Sequence, residues 1–162
     1  MSKDGKLFEQ DIKRSVPNHV FSLRLKDDTS GFKGVSNICD FVMYNHPFLF
    51  LFELKSLKGK SIHIGSIREN QIKGLMDSEE KRGIISGLIV NFRDVEKTYF
   101  MKMSDFMDYL TTTGRKSVPI SHFEEKGVLL KGKKLRTRYR YDLDLFLDYL
   151  GGLKNVKNQS KR

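Results

Sequence analysis

The sequence predicts an α/β fold, a mixed central β-sheet flanked by helices. Two observations predict it. Hydrophobic periodicity along the chain changes in the order helix, strands, helix, strands, helix. In addition, Phe48 to Leu54 (FLFLFEL) is apolar on both faces, which places it in the interior of a sheet covered on both sides. A third observation marks a site rather than a fold. Asp40, Glu53 and Lys55 lie inside this most apolar part of the chain, where a charge costs several kcal/mol unless it is paired or coordinated.

The elements follow in order. Gly5 to Val16 carries Phe8, Ile12 and Ser15/Val16 at spacings of four and three and ends at Pro17, which predicts a short amphipathic helix. Glu9 sits beside its apolar stripe and reads either as a solvated helix glutamate or as a carboxylate aimed at a neighbouring site. His19 to Leu25 alternates as a strand. Residues 25–37 are polar with two glycines, a loop or a short stalk. Two apolar strands follow, Ile38 to Tyr44 and Phe48 to Leu54, around Asn45-His46-Pro47. A helix is expected over Ile67 to Glu80, then strands at Gly87 to Phe92 and Thr98 to Met103, and a helix from Ser104 with Phe106, Met107 and Leu110 inward. Ser121-His122-Phe123-Glu124 has capping-box spacing and predicts one more turn of helix, stopped at Gly127. A final helix has Leu143, Phe146, Leu147 and Leu150 on one face and is expected to stop at Gly151-Gly152. Residues 1–152 are read as a single domain, and 153–162 as a basic disordered tail.

Composition narrows the function. With 38% hydrophobic residues and three prolines in 162, a folded core is expected. No apolar run reaches the roughly 18 residues of a membrane span, and Met1 to Gly5 lacks the apolar centre of a signal peptide. A cytoplasmic protein without membrane contact is expected, in a host cytoplasm if the chain is phage-encoded. The single cysteine, Cys39, reads as a packed thiol. Thirty Lys and Arg against twenty Asp and Glu give a formal charge of +10, which suits a nucleic-acid partner. The four histidines show no metal spacing, and there is no phosphate-binding glycine loop.

The acids carry the chemistry. Glu53 and Lys55, two apart in a strand, share a face. Asp40 joins them only if the hairpin turn is Asn45 to Phe48, which pairs Tyr44 with Leu49 and Asp40 with Glu53, or if a bulge intervenes. Two carboxylates with the Leu54 carbonyl form an all-oxygen set suited to Mg²⁺, with Mn²⁺ as substitute. Gln71 on the following helix is a neutral candidate ligand, and Lys55 a candidate to hold the attacking water or the phosphate. A structural ion pair is the other reading of the same residues. Candidate phosphate contacts are Lys33, Arg68, Lys73, Arg115, Lys116, Arg136, Arg138 and Arg140, with tyrosines interleaved among the last three.

Taken together, these residues resemble the RecU-type Holliday junction resolvases of the PD-(D/E)xK nuclease superfamily. The resemblance spans about residues 5 to 150. Gly5-Lys6-Leu7-Phe8-Glu9 is similar to the family's opening helix, and Phe32-Lys33 precedes the acidic strand. Asp40, Glu53-Leu54-Lys55 and Gln71 fall at its Asp, Glu-x-Lys and Gln, and Gly114-Arg115-Lys116-Ser117 matches its Gly-Arg-Lys-Ser stretch. The resemblance implies a restriction-endonuclease-like core. It also implies a homodimer that binds four-way DNA junctions and cuts two strands symmetrically with Mg²⁺ or Mn²⁺. By position, Asp40, Glu53 and Gln71 become metal ligands, Lys55 the transition-state stabiliser, Glu9 an added acidic contact, and Leu25 to Gly34 a stalk. The chain departs from the family in having Ile38 where Thr is usual, and in its short stalk and N-terminal extension, a compactness similar to phage-borne members.

Overall fold

A computed structural model describes residues 2–26 and 36–159, the last four as backbone only. The expected stalk and Lys33 therefore lie largely outside the described residues. The chain runs α1 (Lys3–Ser15), β1 (Phe21–Arg24), β2 (Phe41–Asn45), β3 (Phe48–Leu57), β4 (Ser61–His63), α2 (Glu69–Glu79), β5 (Ile84–Phe92), β6 (Lys97–Met101), α3 (Met103–Thr113), β7 (Ser117–Pro119), α4 (Ile120–Lys126), β8 (Val128–Leu129), β9 (Gly132–Lys134), β10 (Tyr139–Tyr141) and α5 (Leu143–Gln159).

The expected mixed sheet is present. Six strands lie in the order β1-β2-β3-β5-β6-β8. β3 and β5 are parallel, joined by the crossover through β4 and α2 that a parallel pair requires, and the other pairs are antiparallel. The ten-residue β3 is interior, as its two-sided apolar sequence predicts. Phe50, Phe52 and Leu54 point into a core shared with Phe8 and Ile12 of α1 and Phe146, Leu147 and Leu150 of α5. Leu51 points to the opposite core, with Leu75 of α2, Phe106 and Leu110 of α3 and Phe123 of α4. Glu53 and Lys55, in phase with Leu51, thus rise from the α2 face.

The hairpin register is the one the acids require. Tyr44 pairs with Leu49 and Asn45 with Phe48, leaving His46-Pro47 at the tip, with a cis bond before Pro47.

Two helix boundaries and one strand boundary correct the sequence reading. α4 opens at Ile120 with Pro119 as its N-cap, so Ser121 lies inside the first turn rather than capping it. α5 does not stop at Gly151-Gly152 but continues to Gln159, so the expected disordered tail is helical over 153–159. The reason is packing. A Cβ on Gly151 would lie 2.9 Å from the Phe48 ring, so this glycine serves a close approach to β3 rather than a helix end. The strand containing Asp40 also starts later than Ile38, at Phe41. Ile38 instead packs on α2, where a Cβ on Gly74 would come within 2.4 Å of it.

Candidate active site

Asp40 stands where the β2–β3 ladder breaks. Phe41 pairs with Phe52, and a continued ladder would set Asp40 against Glu53. Instead the Asp40 N–H steps back to the Phe52 carbonyl at 3.0 Å. Its carboxylate Oδ2 then accepts the Leu54 N–H at 2.8 Å. The side chain substitutes for a backbone acceptor, so Asp40 is fixed by main chain on both sides. The Leu25 N–H, donating to the Asp40 carbonyl at 2.8 Å, ties it to β1 as well. Upstream, Asn70 on α2 donates to the carbonyls of Ser36 and Asn37, anchoring the segment that leads into the site.

Glu53 is 1% exposed. The Lys55 ammonium donates to its Oε1 at 2.7 Å, while Oε2 is buried with no hydrogen-bond partner. Burial, and next the charge of nearby Asp40, push the Glu53 carboxyl up to about 7 against the pull of Lys55. Glu9 is not a solvated helix glutamate. It is 3% exposed and ion-paired with Arg24 of β1. Burial first, then Asp40, raise its carboxyl above the ordinary range, partly offset by Arg24. Asp40 acts electrostatically on both glutamates, so α1, β1, β3 and the segment entering β2 contribute to one cluster. Among the described residues, three carboxyls and two cations meet there.

The structure therefore brings together Asp40, Glu53, Lys55 and Glu9, and adds Arg24, which the sequence reading missed. The available signal was the alternation of β1, since Arg24 pairs with Phe41 and so turns to the same face of the sheet as α1. Gln71 is 1% exposed on the first turn of α2. Its Oε1 accepts the Arg68 N–H at 3.1 Å, closing the helix start. That bond occupies one lone pair of an oxygen that has two.

The cluster suits a hard divalent ion. Among the described residues, no three His, Cys, Asp or Glu side chains are placed to hold a metal. The donor set consistent with this chain is thus two carboxylates, Asp40 and Glu53, completed by neutral oxygens. All-oxygen donors, an orphaned buried carboxylate oxygen and uncompensated negative charge fit Mg²⁺ or Mn²⁺ better than a thiolate- or imidazole-seeking ion. Cys39 next to the cluster is a buried thiol. Burial, then Glu53 and Asp40, push it up to about 12, so it stays neutral and does not compete as a ligand.

The basic candidates separate into two groups. Arg68, Lys73, Arg115, Lys116 and Arg136 are exposed. Arg138 is instead consumed internally, its Nε donating to Asp11 Oδ1 at 2.7 Å and another nitrogen to the Leu7 carbonyl at 3.0 Å. Arg140 donates to the carbonyl of Arg14 at the end of α1. These two arginines fasten the β9–β10 hairpin to α1, a structural use that a run of basic letters does not disclose.

With this geometry in place, comparison with known proteins becomes decisive. The profile of the family described as Recombination protein U matches residues 5–153. The chain belongs to the RecU family. A SPbeta prophage-derived uncharacterized protein of Bacillus subtilis, YotM, is 32% identical over an alignment of 181 residues, covering 99% of this chain and 91% of that protein. The Holliday junction resolvase RecU of Pediococcus pentosaceus is 28% identical over 122 residues, 74% of this chain and 56% of that protein. Among solved structures, the Holliday junction resolvase Hjc of Archaeoglobus fulgidus superposes with a TM-score of 0.54 at 17% identity, over 77% of this chain and 95% of Hjc. That likeness is one of fold, a restriction-endonuclease-like core with a central mixed sheet between helices. No helix among the described residues of this RecU-family chain is long and apolar enough to cross a membrane.

Proposed function

We propose that this RecU-family protein is a divalent-metal-dependent endodeoxyribonuclease that resolves four-way DNA junctions by paired symmetric incisions, working as a homodimer. The observation that carries the reading is Glu53, a buried carboxyl with one oxygen lacking a donor, beside Asp40 and one lysine. A purely structural ion pair would match its charges; among the described residues this cluster leaves one negative charge over. Asp40 and Glu53 would hold the ion, with the Leu54 carbonyl and Gln71 as neutral donors. The ion supplies Lewis acidity toward the scissile phosphate and acidifies the attacking water. Lys55 is held 2.7 Å from Glu53. From there its ammonium orients the water and offsets charge developing on phosphorus. Arg24 positions Glu9 at the rim of the cluster. Family membership supports a branched-DNA substrate, and the exposed Arg68, Lys73, Arg115, Lys116 and Arg136 supply sequence-independent phosphate contacts. The relative named as a junction resolvase supports the same assignment.

The test uses labelled four-way and linear duplex DNA, with Mg²⁺ and with EDTA. The expected outcome is paired cuts in the junction with Mg²⁺, none with EDTA, and slower cutting of the linear duplex. Equal rates on linear and branched DNA would move the assignment to a restriction- or repair-type nuclease. Binding without cutting under every metal condition would make the chain a non-catalytic binding module.

A further inference from the structure

A groove of about 610 Å³ runs between α1 and β1, with Lys6, Glu9, Lys13, Arg24, Lys26 and Phe41 in its lining. Lys6, Gln10 and Lys13, at spacings of four and three, form one stripe along α1 next to the buried Phe8–Ile12 stripe. Lys6, Lys13 and Lys26 are exposed, and none has an ion-pair partner among the described residues. Among the described residues, the only carboxylate in the lining is Glu9, which is ion-paired with Arg24. The described lining is therefore predominantly cationic, and it borders the acidic cluster, because Phe41 in the lining is the chain neighbour of Asp40 and the Leu25 N–H ties β1 to the Asp40 carbonyl.

We propose that this groove holds the phosphates of the strand being cut, flanking the scissile bond. The inference rests on the nuclease reading above and assigns a strand-binding subsite to residues outside the basic runs. Spacing supports it. Seven helical residues separate Lys6 from Lys13 by about 10 Å, well beyond the axial rise of about 3.4 Å per phosphate of one DNA strand. Two free ammonium groups thus address different phosphates. Electrostatics supports it too, since the exposed lysines along the groove attract a polyanion.

The test compares wild type, K6Q/K13Q and a control, K97Q/K126Q, whose lysines are exposed on β6 and α4. Glutamine preserves helix propensity in α1. Binding to a four-way junction is measured without divalent metal across a salt series. The expected result is about tenfold weaker binding for K6Q/K13Q, a salt slope shallower by about 2, and a control matching wild type. An unchanged slope in K6Q/K13Q, or an equal loss in the control, overturns the groove assignment while wild-type junction cleavage leaves the nuclease reading standing. Wild type that binds no DNA overturns both.

Discussion

Two regions of this molecule bury charge, and they do so in opposite ways. Where α1 meets the β9–β10 hairpin, Asp11 is met by Arg138 at 2.7 Å, and a further guanidinium nitrogen reaches the Leu7 carbonyl. There the buried carboxylate has its cation. In the acidic cluster, Glu53 is paired with Lys55 through one oxygen, keeps the other without a hydrogen-bond partner, and has a carboxyl raised to about 7 by burial and by Asp40. Matched buried charge fastens two elements together. Unmatched buried charge is held in place by the surrounding fold, and it is the feature on which the proposed metal site rests.

The largest expected effect tests the unmatched region. D40N and E53Q should each lower junction cleavage by about three orders of magnitude or more, the scale of losing metal-based stabilisation. Junction binding in the same variants should persist, because phosphate contacts do not pass through the acids. Both variants cutting at the wild-type rate would erase the distinction between the two regions.

The next effect tests the matched region. R138A leaves Asp11 buried without its partner and should cost about 2–3 kcal/mol in chemical denaturation. That is below the 3–5 typical of fully buried pairs, because the Arg138 side chain is 23% exposed. Cleavage per folded molecule should stay near wild type. If R138A instead abolished cleavage with stability intact, Arg138 would belong to the DNA-contacting set.

The smallest effect concerns pH. The Glu53 carboxyl is raised in the folded state from an ordinary value near 4.5 to about 7. Between these values the folded protein holds more protons than the unfolded chain, so stability from this group falls as pH rises through that window. Metal-free wild type should therefore lose thermal stability between about pH 4.5 and 7 relative to E53Q. Saturating Mn²⁺ at pH 8 should raise the melting temperature of wild type and not of E53Q. Parallel pH profiles for the two proteins would mean that Glu53 is already compensated.

Much of this was legible in the letters. The two-sided apolar run FLFLFEL identified an interior strand, and the requirement that Asp40 meet Glu53 identified the turn Asn45 to Phe48, because side-chain direction alternates with every residue. Capping and glycine signals were less reliable. Gly151 looked like a helix stop and is a contact with Phe48, since a glycine letter does not say whether it relaxes the backbone or admits a neighbour.

By itself, then, the sequence determined the α/β class, the interior strand and the identity of the acids, because these depend on local period and on the cost of burying charge. Only the tertiary structure decided which charges are neutralised. Arg24 reaches Glu9 across β1 and α1, and Arg138 reaches Asp11 across 127 residues of sequence. Compensation of a buried charge depends on distance in space, and distances between such separated residues exist only once the sheet and its covering helices have packed.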